Sequence, residues 1–307
     1  MLTLSLVTAC AGAPTAEAPP ATGAGVGSTS AASLPVPRSE VAGAAWTGRL
    51  IVAGGFLRDG SSSAQVDAWT ADRGWSRLPD LPEPRNHPGL AVLAGRLHLV
   101  GGYGQDGRAS ARVWSLGEGE DRWRDDPPLP APRAAAAVVS DGVRLVIAGG
   151  VVDGQVAASV VLFDGGRWSA GPPLSAAREH LAGASSEGRV YAVAGRTSGL
   201  DTNLDVVESL GPGESAWRRE PSVPRPRGGT SAAAVDGVVC VAGGEDPGGT
   251  DPAVVCLRDG TWYEIGRLAE PRHGLAVVAV AGALHVVGGG PAPGLTVSGA
   301  HEVFAVR

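Results

Sequence analysis

One spacing recurs along the whole chain and limits what it can fold into. An arginine is followed sixteen residues later by a glycine pair, five times with both glycines and once with Ala194 in place of the first. The successive arginines are Arg38, Arg85, Arg133, Arg178, Arg227 and Arg272. They stand about 45 to 49 residues apart, a period typical of repeat proteins whose units bury their faces against each other.

A second mark is in register with the first, because a tryptophan precedes each of the last five arginines by ten positions. These residues are Trp75, Trp123, Trp168, Trp217 and Trp262, and we expect them to pack in the core. The sequence of each unit predicts four short strands, with a tight turn such as Ala94-Gly95 between the first two. In the second unit the predicted strands are 88–93, 97–100, 112–116 and the segment around Trp123. The pattern predicts an all-β fold, a six-bladed β-propeller with four antiparallel strands per blade.

These marks resemble the kelch-repeat family, whose units have a Pro-Arg start, an apolar strand ending in a glycine pair, and a tryptophan on the fourth strand. The resemblance covers residues 27–307 and implies a kelch propeller, but it says little about activity. The chain departs from the pattern at three places. Ala194 replaces a glycine, Ala177 replaces the proline before Arg178, and Ser28 occupies the first tryptophan position.

The last unit is incomplete, which indicates how the ring closes. After Gly288-Gly289 the chain has room for one more strand, at 301–306. The segment 28–37 precedes Arg38 as 75–84 precedes Arg85, and it can supply the missing fourth strand. We therefore expect an N-terminal strand to complete the C-terminal blade, so that no sheet edge stays open.

Composition agrees with one domain over residues 27–307. The chain has 43% hydrophobic and 18% charged residues, enough apolar side chains for a core of this size. Its formal net charge is −6, and all 25 basic residues are arginines without a basic stripe. An acidic chain of this kind is not expected to bind nucleic acid.

The N-terminus resembles a bacterial lipoprotein signal. A short apolar run at 2–7 leads to Cys10, which small residues flank, and a Pro/Ala/Thr/Ser-rich stretch follows. We interpret 1–10 as a signal-like segment with Cys10 as the lipidation site, and 11–26 as a flexible linker. No basic residue precedes the apolar run, which a lipoprotein signal usually has. The alternatives are therefore an ordinary secretory signal, or an apolar N-terminus that has no signal function. The expected location is extracytoplasmic, at a bacterial cell surface or in the periplasm, lipid-anchored or secreted, with the anchor as the only membrane contact.

The two remaining cysteines fit an oxidising compartment. Cys240 lies on the predicted second strand of the fifth unit and Cys256 on the third. Pairing these strands places the two residues opposite each other, so they can form a disulfide. The alternative is two small buried thiols.

Topology places the arginines and the loops after the glycine pairs on one face of the propeller, the usual position of a ligand site. The candidate ligand-binding residues there are Arg38, Arg85, Arg133, Arg178, Arg196, Arg227, Arg272, His87, His180 and Tyr103. A residue repeated in every blade often has a structural role instead, here by hydrogen-bonding neighbouring loop carbonyls. The sequence leaves both roles open for the repeated arginines.

Histidines occur near the start of three units. His87 and His180 lie two positions after their arginines, and His273 lies one position after its own. Three converging imidazoles could hold a metal ion, but the different offset of His273 from its arginine weakens the threefold geometry that such a site needs. We therefore predict no metal and no cofactor.

The function that fits best is a monomeric binding or interaction module for a glycan or a protein. The alternative is a sugar mutarotase similar to sialic acid mutarotases, which share the blade count and an export signal. Glu179, His180 and Arg196 could then supply an acid/base pair and an arginine for the sugar's carboxylate. The copper oxidases that share kelch repeats do not fit, because they need tyrosine, histidine and cysteine ligands that this chain does not bring together.

Overall fold

A computed structural model describes residues 27–306, which form six four-stranded antiparallel sheets. The innermost strands contact one another in a closed cycle, so the sheets are the blades of a six-bladed β-propeller. From the innermost strand outwards the blades are Ala42–Trp46, Arg49–Ala53, Val66–Thr70 and Gly74–Arg77 (blade 1); Gly89–Leu93, Arg96–Val100, Val113–Leu116 and Arg124–Asp125 (blade 2); Ala137–Ser140, Leu145–Ala148, Val160–Phe163 and Trp168–Gly171 (blade 3); Ala182–Ser186, Arg189–Val193, Val207–Leu210 and Arg218–Glu220 (blade 4); Ser231–Val235, Val238–Ala242, Ala253–Arg258 and Thr261–Arg267 (blade 5); and Ala276–Val280, Ala283–Val287, His301–Ala305 and Thr29–Ser30 (blade 6). The predicted fold class is confirmed.

Short elements lie in the loops between second and third strands. They are the strands Val151–Val152, Gln155–Val156, Glu245–Asp246 and Gly249–Thr250, and the 3-10 helix Leu200–Thr202. A further short strand, Arg133–Ala134, leads into blade 3 and pairs with Val151–Val152. Within residues 27–306 no helix has the length and apolarity needed to cross a membrane.

The hydrophobic core is divided among the interfaces between blades. Six clusters of buried side chains each join two neighbouring blades, and the cluster between blades 6 and 1 includes Leu34 and Trp69. The innermost strands approach closely near the axis. A side chain at Gly89 would overlap Val138 of the next blade, so this position needs glycine. Each blade therefore depends on its two neighbours to bury its apolar side chains, as in other repeat folds.

The N-terminal segment closes the ring as predicted. Thr29–Ser30 pairs antiparallel with His301–Ala305, and the paired strand is only two residues long. Beyond it, the Leu34 amide donates to the Gly299 carbonyl at 2.8 Å. Leu34 is 2% exposed and occupies the place that Leu81 occupies one blade later.

The repeated tryptophans fasten neighbouring blades together. Each indole N–H donates to a carbonyl of the preceding blade's outer segment at 2.7 to 2.9 Å: Trp75 to Ala32, Trp123 to Pro79, Trp168 to Pro127, Trp217 to Pro172 and Trp262 to Pro221. Only Trp123 is fully buried, and the other four are half-buried. Their role is thus a hydrogen-bonded contact between blades, with less core burial than the sequence predicts. Ala32 receives the same bond as Pro79, which marks 28–37 as part of blade 6.

The two cysteines of blade 5 are bonded. Cys240 and Cys256 lie directly opposite each other on the second and third strands, and their sulfurs form a disulfide. The sequence interpretation of 1–10, 11–26 and Cys10 concerns residues outside the part of the chain that the structure describes.

Ring closure predicts a matched pair of stability losses. Leu34→Ala and Leu81→Ala remove equivalent buried side chains, so each should lower the free energy of unfolding by about 2 to 5 kcal/mol. Denaturant melts of the two variants and the parent protein measure both losses. If Leu34→Ala were neutral while Leu81→Ala destabilised the protein, the N-terminal segment would not be an integral part of blade 6.

A histidine pair beneath the closing strand makes it sensitive to acid. His301 Nδ1 lies 3.2 Å from the Ala32 carbonyl, and its Nε2 lies 2.9 Å from His285 Nδ1. Burial lowers the pKa of His301 to about 4 and also lowers the pKa of His285. Both rings are therefore neutral in the folded protein at neutral pH.

From this we predict acid destabilisation with a defined window. The unfolded chain protonates His301 near pH 6.5 and the folded protein only near pH 4, so the unfolded state binds more protons in between, and the lowered pKa of His285 acts in the same direction. The free energy of unfolding should then fall as pH falls from 6.5 to 4. In His301→Gln, which has no titrating ring, the fall should be shallower in denaturant melts at several pH values. An unchanged slope would contradict this assignment.

Candidate functional site

The segments that lead into the blades pair with the loops between second and third strands, on one face of the propeller. In each blade the residue after the repeated arginine forms an antiparallel bridge to the loop. The bridges are Ser39 to Phe56, Asn86 to Tyr103, Ala134 to Val151, Glu179 to Arg196, Gly228 to Glu245 and His273 to Gly290. These twelve positions define what we call the entrance face, where the sequence placed the ligand site.

The next residue in each blade has left-handed backbone geometry, and these residues form a closed ring around the axis. They are Glu40, His87, Ala135, His180, Gly229 and Gly274, with φ between 50° and 66°. From blade 2 to blade 6 each donates its N–H to the carbonyl of the preceding member at 2.7 to 3.1 Å, and Val41 N–H closes the ring on Gly274 at 3.3 Å. We call these six residues the axial ring. Left-handed geometry is unfavourable for residues with a side chain, yet four of the six ring members, Glu40, His87, Ala135 and His180, are not glycine.

The six repeated arginines lie inside the blades. Their exposure is between 0 and 5%. Arg133 is representative, since its guanidinium donates to the carbonyls of Gly149 at 2.7 Å and Ser159 at 2.8 Å. Arg178 instead pairs with the buried carboxylate of Glu208 at 2.7 Å.

The other ring arginines follow the same plan with one variation. Arg38, Arg227 and Arg272 bind the glycine-pair carbonyl of their own blade and a buried acidic side chain. Arg85 pairs with Glu83 and lies over the Trp114 ring at 4.8 Å. Burial of all six favours the structural role that the sequence left open, and places these side chains away from the open surface of the entrance face.

The other predicted site residues are on the entrance face. A closed chain of polar contacts joins seven side chains there, which we call the axial cluster: Glu40, His87, His180, Glu179, Arg196, Glu245 and His273. Each touches the next, and His273 returns to Glu40. The cluster draws on blades 1, 2, 4, 5 and 6 and passes over blade 3, where the axial ring has Ala135.

Glu179 is the centre of one half of the cluster. One oxygen accepts from Arg196 Nε at 2.7 Å and the other contacts His180 Nδ1. Arg196 also donates to Glu245 at 2.9 Å. Burial alone would raise the pKa of Glu179, but the hydrogen bonds and charges of His180 and Arg196 outweigh it and lower the pKa. The carboxylate is therefore ionised at neutral pH.

Glu40 is the centre of the other half. It lies 3.1 Å from His273 Nδ1 and 3.2 Å from His87 Nε2. Burial would raise the pKa of Glu40, but His87 and His273 outweigh it and lower the pKa. Burial lowers the pKa of His87 to about 4, while Glu40 and Glu245 overcome burial at His273 and raise its pKa.

Two cavities adjoin the cluster. The first, of about 130 Å³, follows the propeller axis and is bounded by the axial ring and the innermost strands. The second, of about 360 Å³, lies on the rim between Phe56 and Tyr103 and has His87 at its base. Both aromatic rings meet His87 edge-on, with centroids 5.6 and 5.5 Å away. We call this second cavity the rim pocket.

Sequence reasoning found His87, His180, Arg196, Tyr103 and Glu179, and all five lie on or beside the axis. It gave no role to Glu40, Phe56 or Asn86, which complete the cluster and the rim pocket. Glu40 had a signal, since it occupies the same repeat position as His87 and His180. Phe56 occupies the loop position of Tyr103, and an alignment of the six units would have shown both.

Comparisons with known proteins support the kelch family at modest identity. No protein-family model matches the chain. It is 30% identical to human Kelch repeat and BTB domain-containing protein 13 over 183 residues (57% of this chain, 40% of that protein) and 33% identical to human Kelch-like protein 33 over 144 residues (43% and 26%). An F-box/kelch-repeat protein of Arabidopsis thaliana is 36% identical over 126 residues (38% and 33%). The matched segments thus span two fifths or less of these relatives.

A solved structure gives the same fold. The structure of YjhT superimposes with a TM-score of 0.77, covering 90% of this chain and 97% of that one. At 16% identity this likeness shows the fold alone.

The buried arginines predict a loss of stability without a loss of ligand affinity. Arg178→Met leaves the Glu208 carboxylate buried without its partner, so unfolding should become easier by about 3 to 5 kcal/mol. Adding Glu208→Gln removes the unpaired charge and should recover part of the loss. Thermal melts and binding measurements on the three proteins test this together. An Arg178→Met variant that melts like the parent protein but no longer binds ligand would show that Arg178 belongs to the ligand site.

Proposed function

We propose that this six-bladed propeller, similar to kelch-repeat proteins, is an extracytoplasmic binding module that recognises a glycan or a protein through its entrance face. The similarity to kelch proteins supports a binding role, including a protein partner, in general. The rim pocket supports a specific place for it. It is the only part of the described entrance face where two aromatic rings flank an open cavity lined with neutral polar groups.

The chemistry of the rim pocket favours a sugar ring. Phe56 and Tyr103 supply apolar walls, and Ser62, Asn86 and Gln105 supply hydroxyl and amide groups. A ligand with apolar C–H faces and several hydroxyls matches both kinds of wall. The volume of about 360 Å³ is at the small end of ligand sites, enough for one terminal sugar or one protein side chain.

The location and anchor of the protein belong to the same proposal. The lipoprotein-like segment 1–10 with Cys10 supports an extracytoplasmic, lipid-anchored or secreted protein. The Cys240–Cys256 disulfide also supports it, because such bonds persist in oxidising compartments. We propose that the protein acts as a monomer.

A sugar mutarotase is the second candidate, and one observation favours it. Glu179, His180 and Arg196, the residues that such a reaction would need, are in mutual contact. Two observations weigh against it. Both oxygens of Glu179 are already engaged by His180 and Arg196, and its lowered pKa keeps it ionised at neutral pH, so it cannot serve as the acid of the pair. Binding without catalysis is therefore the function that we place first.

A glycan array followed by affinity measurements tests the proposal. For a glycan that binds, Tyr103→Ala and Phe56→Ala should each weaken affinity by about 1 to 3 kcal/mol, since each removes an aromatic wall. Val151→Ala changes the same loop position in blade 3, where the residue does not line the rim pocket. It should leave affinity unchanged and is the matched control.

Two results would count against the proposal. Equal loss of affinity in the Val151 control would show that the rim pocket is not the site. Faster exchange between sialic acid anomers in NMR spectra, lost in Glu179→Gln, would favour the mutarotase.

A further inference from the structure

Three electron-pair donors from three blades converge on the axis. His87 Nε2 lies 2.9 Å from His180 Nε2 and 3.2 Å from Glu40 Oε2. All three donor atoms lie within 4.8 Å of one another. The side chains are only 11 to 12% exposed, so the donors are positioned by the fold rather than by solvent. Ala135 in blade 3 is small enough to let the two imidazoles meet across it.

The Nδ1 atom of each imidazole already has a hydrogen-bonding partner. His87 Nδ1 faces Asn86 Oδ1 at 2.6 Å, and the Asn86 amide nitrogen donates to Ser62 Oγ at 2.8 Å. His180 Nδ1 faces a Glu179 oxygen. With Asn86 Oδ1 and the Glu179 carboxylate as acceptors, the neutral form of each ring carries its hydrogen on Nδ1. An oxygen acceptor behind Nδ1 is the usual partner of a metal-binding histidine, because it orients the ring and increases the basicity of Nε2.

With both hydrogens on Nδ1, the two Nε2 lone pairs face each other and the Glu40 carboxylate. That arrangement is repulsive unless a cation lies between the three donors. Charge in the axial cluster points the same way, because Arg196 pairs with Glu179 and Glu245, whereas the partners of Glu40 are His87 and His273. A proton joins two of the donors, whereas one metal ion can bind all three at once.

We propose that Glu40 Oε2, His87 Nε2 and His180 Nε2 bind one divalent first-row transition-metal ion on the propeller axis. Two imidazoles and a carboxylate are ligands that Zn²⁺, Co²⁺ and Fe²⁺ accept. Nitrogens 2.9 Å apart, each about 2.1 Å from one ion, subtend an angle of about 90°. That angle suits a five- or six-coordinate ion with open positions, and the axial cavity beside the three donors has room for water there.

Two features of the chain support this donor set over the histidine trio that the sequence suggested. The third ligand is Glu40, not His273, because Glu40 and the two histidines share one position of the axial ring. His273 Nδ1 is turned to the carboxylates of Glu40 and Glu245, and its Nε2 lies 3.0 Å from the Gly294 carbonyl. It therefore positions Glu40 and supplies no ligand atom.

Metal titrations of the full chain test the proposal without any other ligand. The protein is prepared without a polyhistidine tag and stripped with a chelator. Calorimetry should show one equivalent of Zn²⁺ bound, and Co²⁺ should give visible d–d absorption that Zn²⁺ abolishes. His87→Gln, His180→Gln and Glu40→Gln should each weaken binding at least about tenfold, and Asn86→Ala by about 10- to 100-fold through loss of ring orientation.

The matched control is His98→Gln. His98 is also a buried histidine beside a carboxylate, with Nδ1 2.9 Å from Asp126, but it lies outside the axial cluster. Its substitution should leave metal affinity unchanged, and melts of every variant show whether it is folded. Absence of saturable Zn²⁺ and Co²⁺ binding by the parent protein would overturn the proposal. So would unchanged affinity in a folded His87→Gln or Glu40→Gln variant.

Discussion

The hydrogen bond from each left-handed residue to the carbonyl of the preceding blade is the contact on which the site depends. Five such bonds, closed by a sixth from Val41 to Gly274, form a ring around the axis, so the position of every blade entrance is set relative to its neighbours. Left-handed geometry at this ring fixes where the side chains start, and for Glu40, His87 and His180 it brings them together near the axis. The repeated scaffold thus pre-organises a polar site, whereas flexible loops would have to pay the entropy of ordering it.

The buried arginines stabilise the loops that carry this ring. Each guanidinium binds within its own blade, most often to the carbonyl of the glycine pair and to the start of the third strand. A guanidinium has five donors in a planar fork, which lets one side chain satisfy several carbonyls of a tight loop. Four of the six also pair with a buried acid of the same blade. Their charge is therefore neutralised locally and adds little to the potential at the axis.

The blade count, the closure by 28–37 and the entrance face could be predicted because each is a repeated pattern. Periodicity cannot show which repeated residues reach solvent, and the arginines were ambiguous for that reason. Contacts across blades were harder still. Glu40 and His273 meet although 233 positions separate them, and Arg196 meets Glu245 across 49. No local pattern encodes such pairs, since they depend on ring geometry that exists only once all six blades are in place.

Asymmetry within a symmetric ring is what turns the scaffold into a site. At Gly274 a side chain would collide with the Glu40 carboxylate, so glycine there opens the space through which Glu40 reaches His273. Ala135 does the same for the pair of His87 and His180. Small residues on the axial ring in blades 3, 5 and 6 therefore leave room for large polar ones in blades 1, 2 and 4. Because the bonds of the ring are made by backbone atoms, exchanges among the side chains of blades 1, 2 and 4 can change the chemistry of the axis while the ring stays closed.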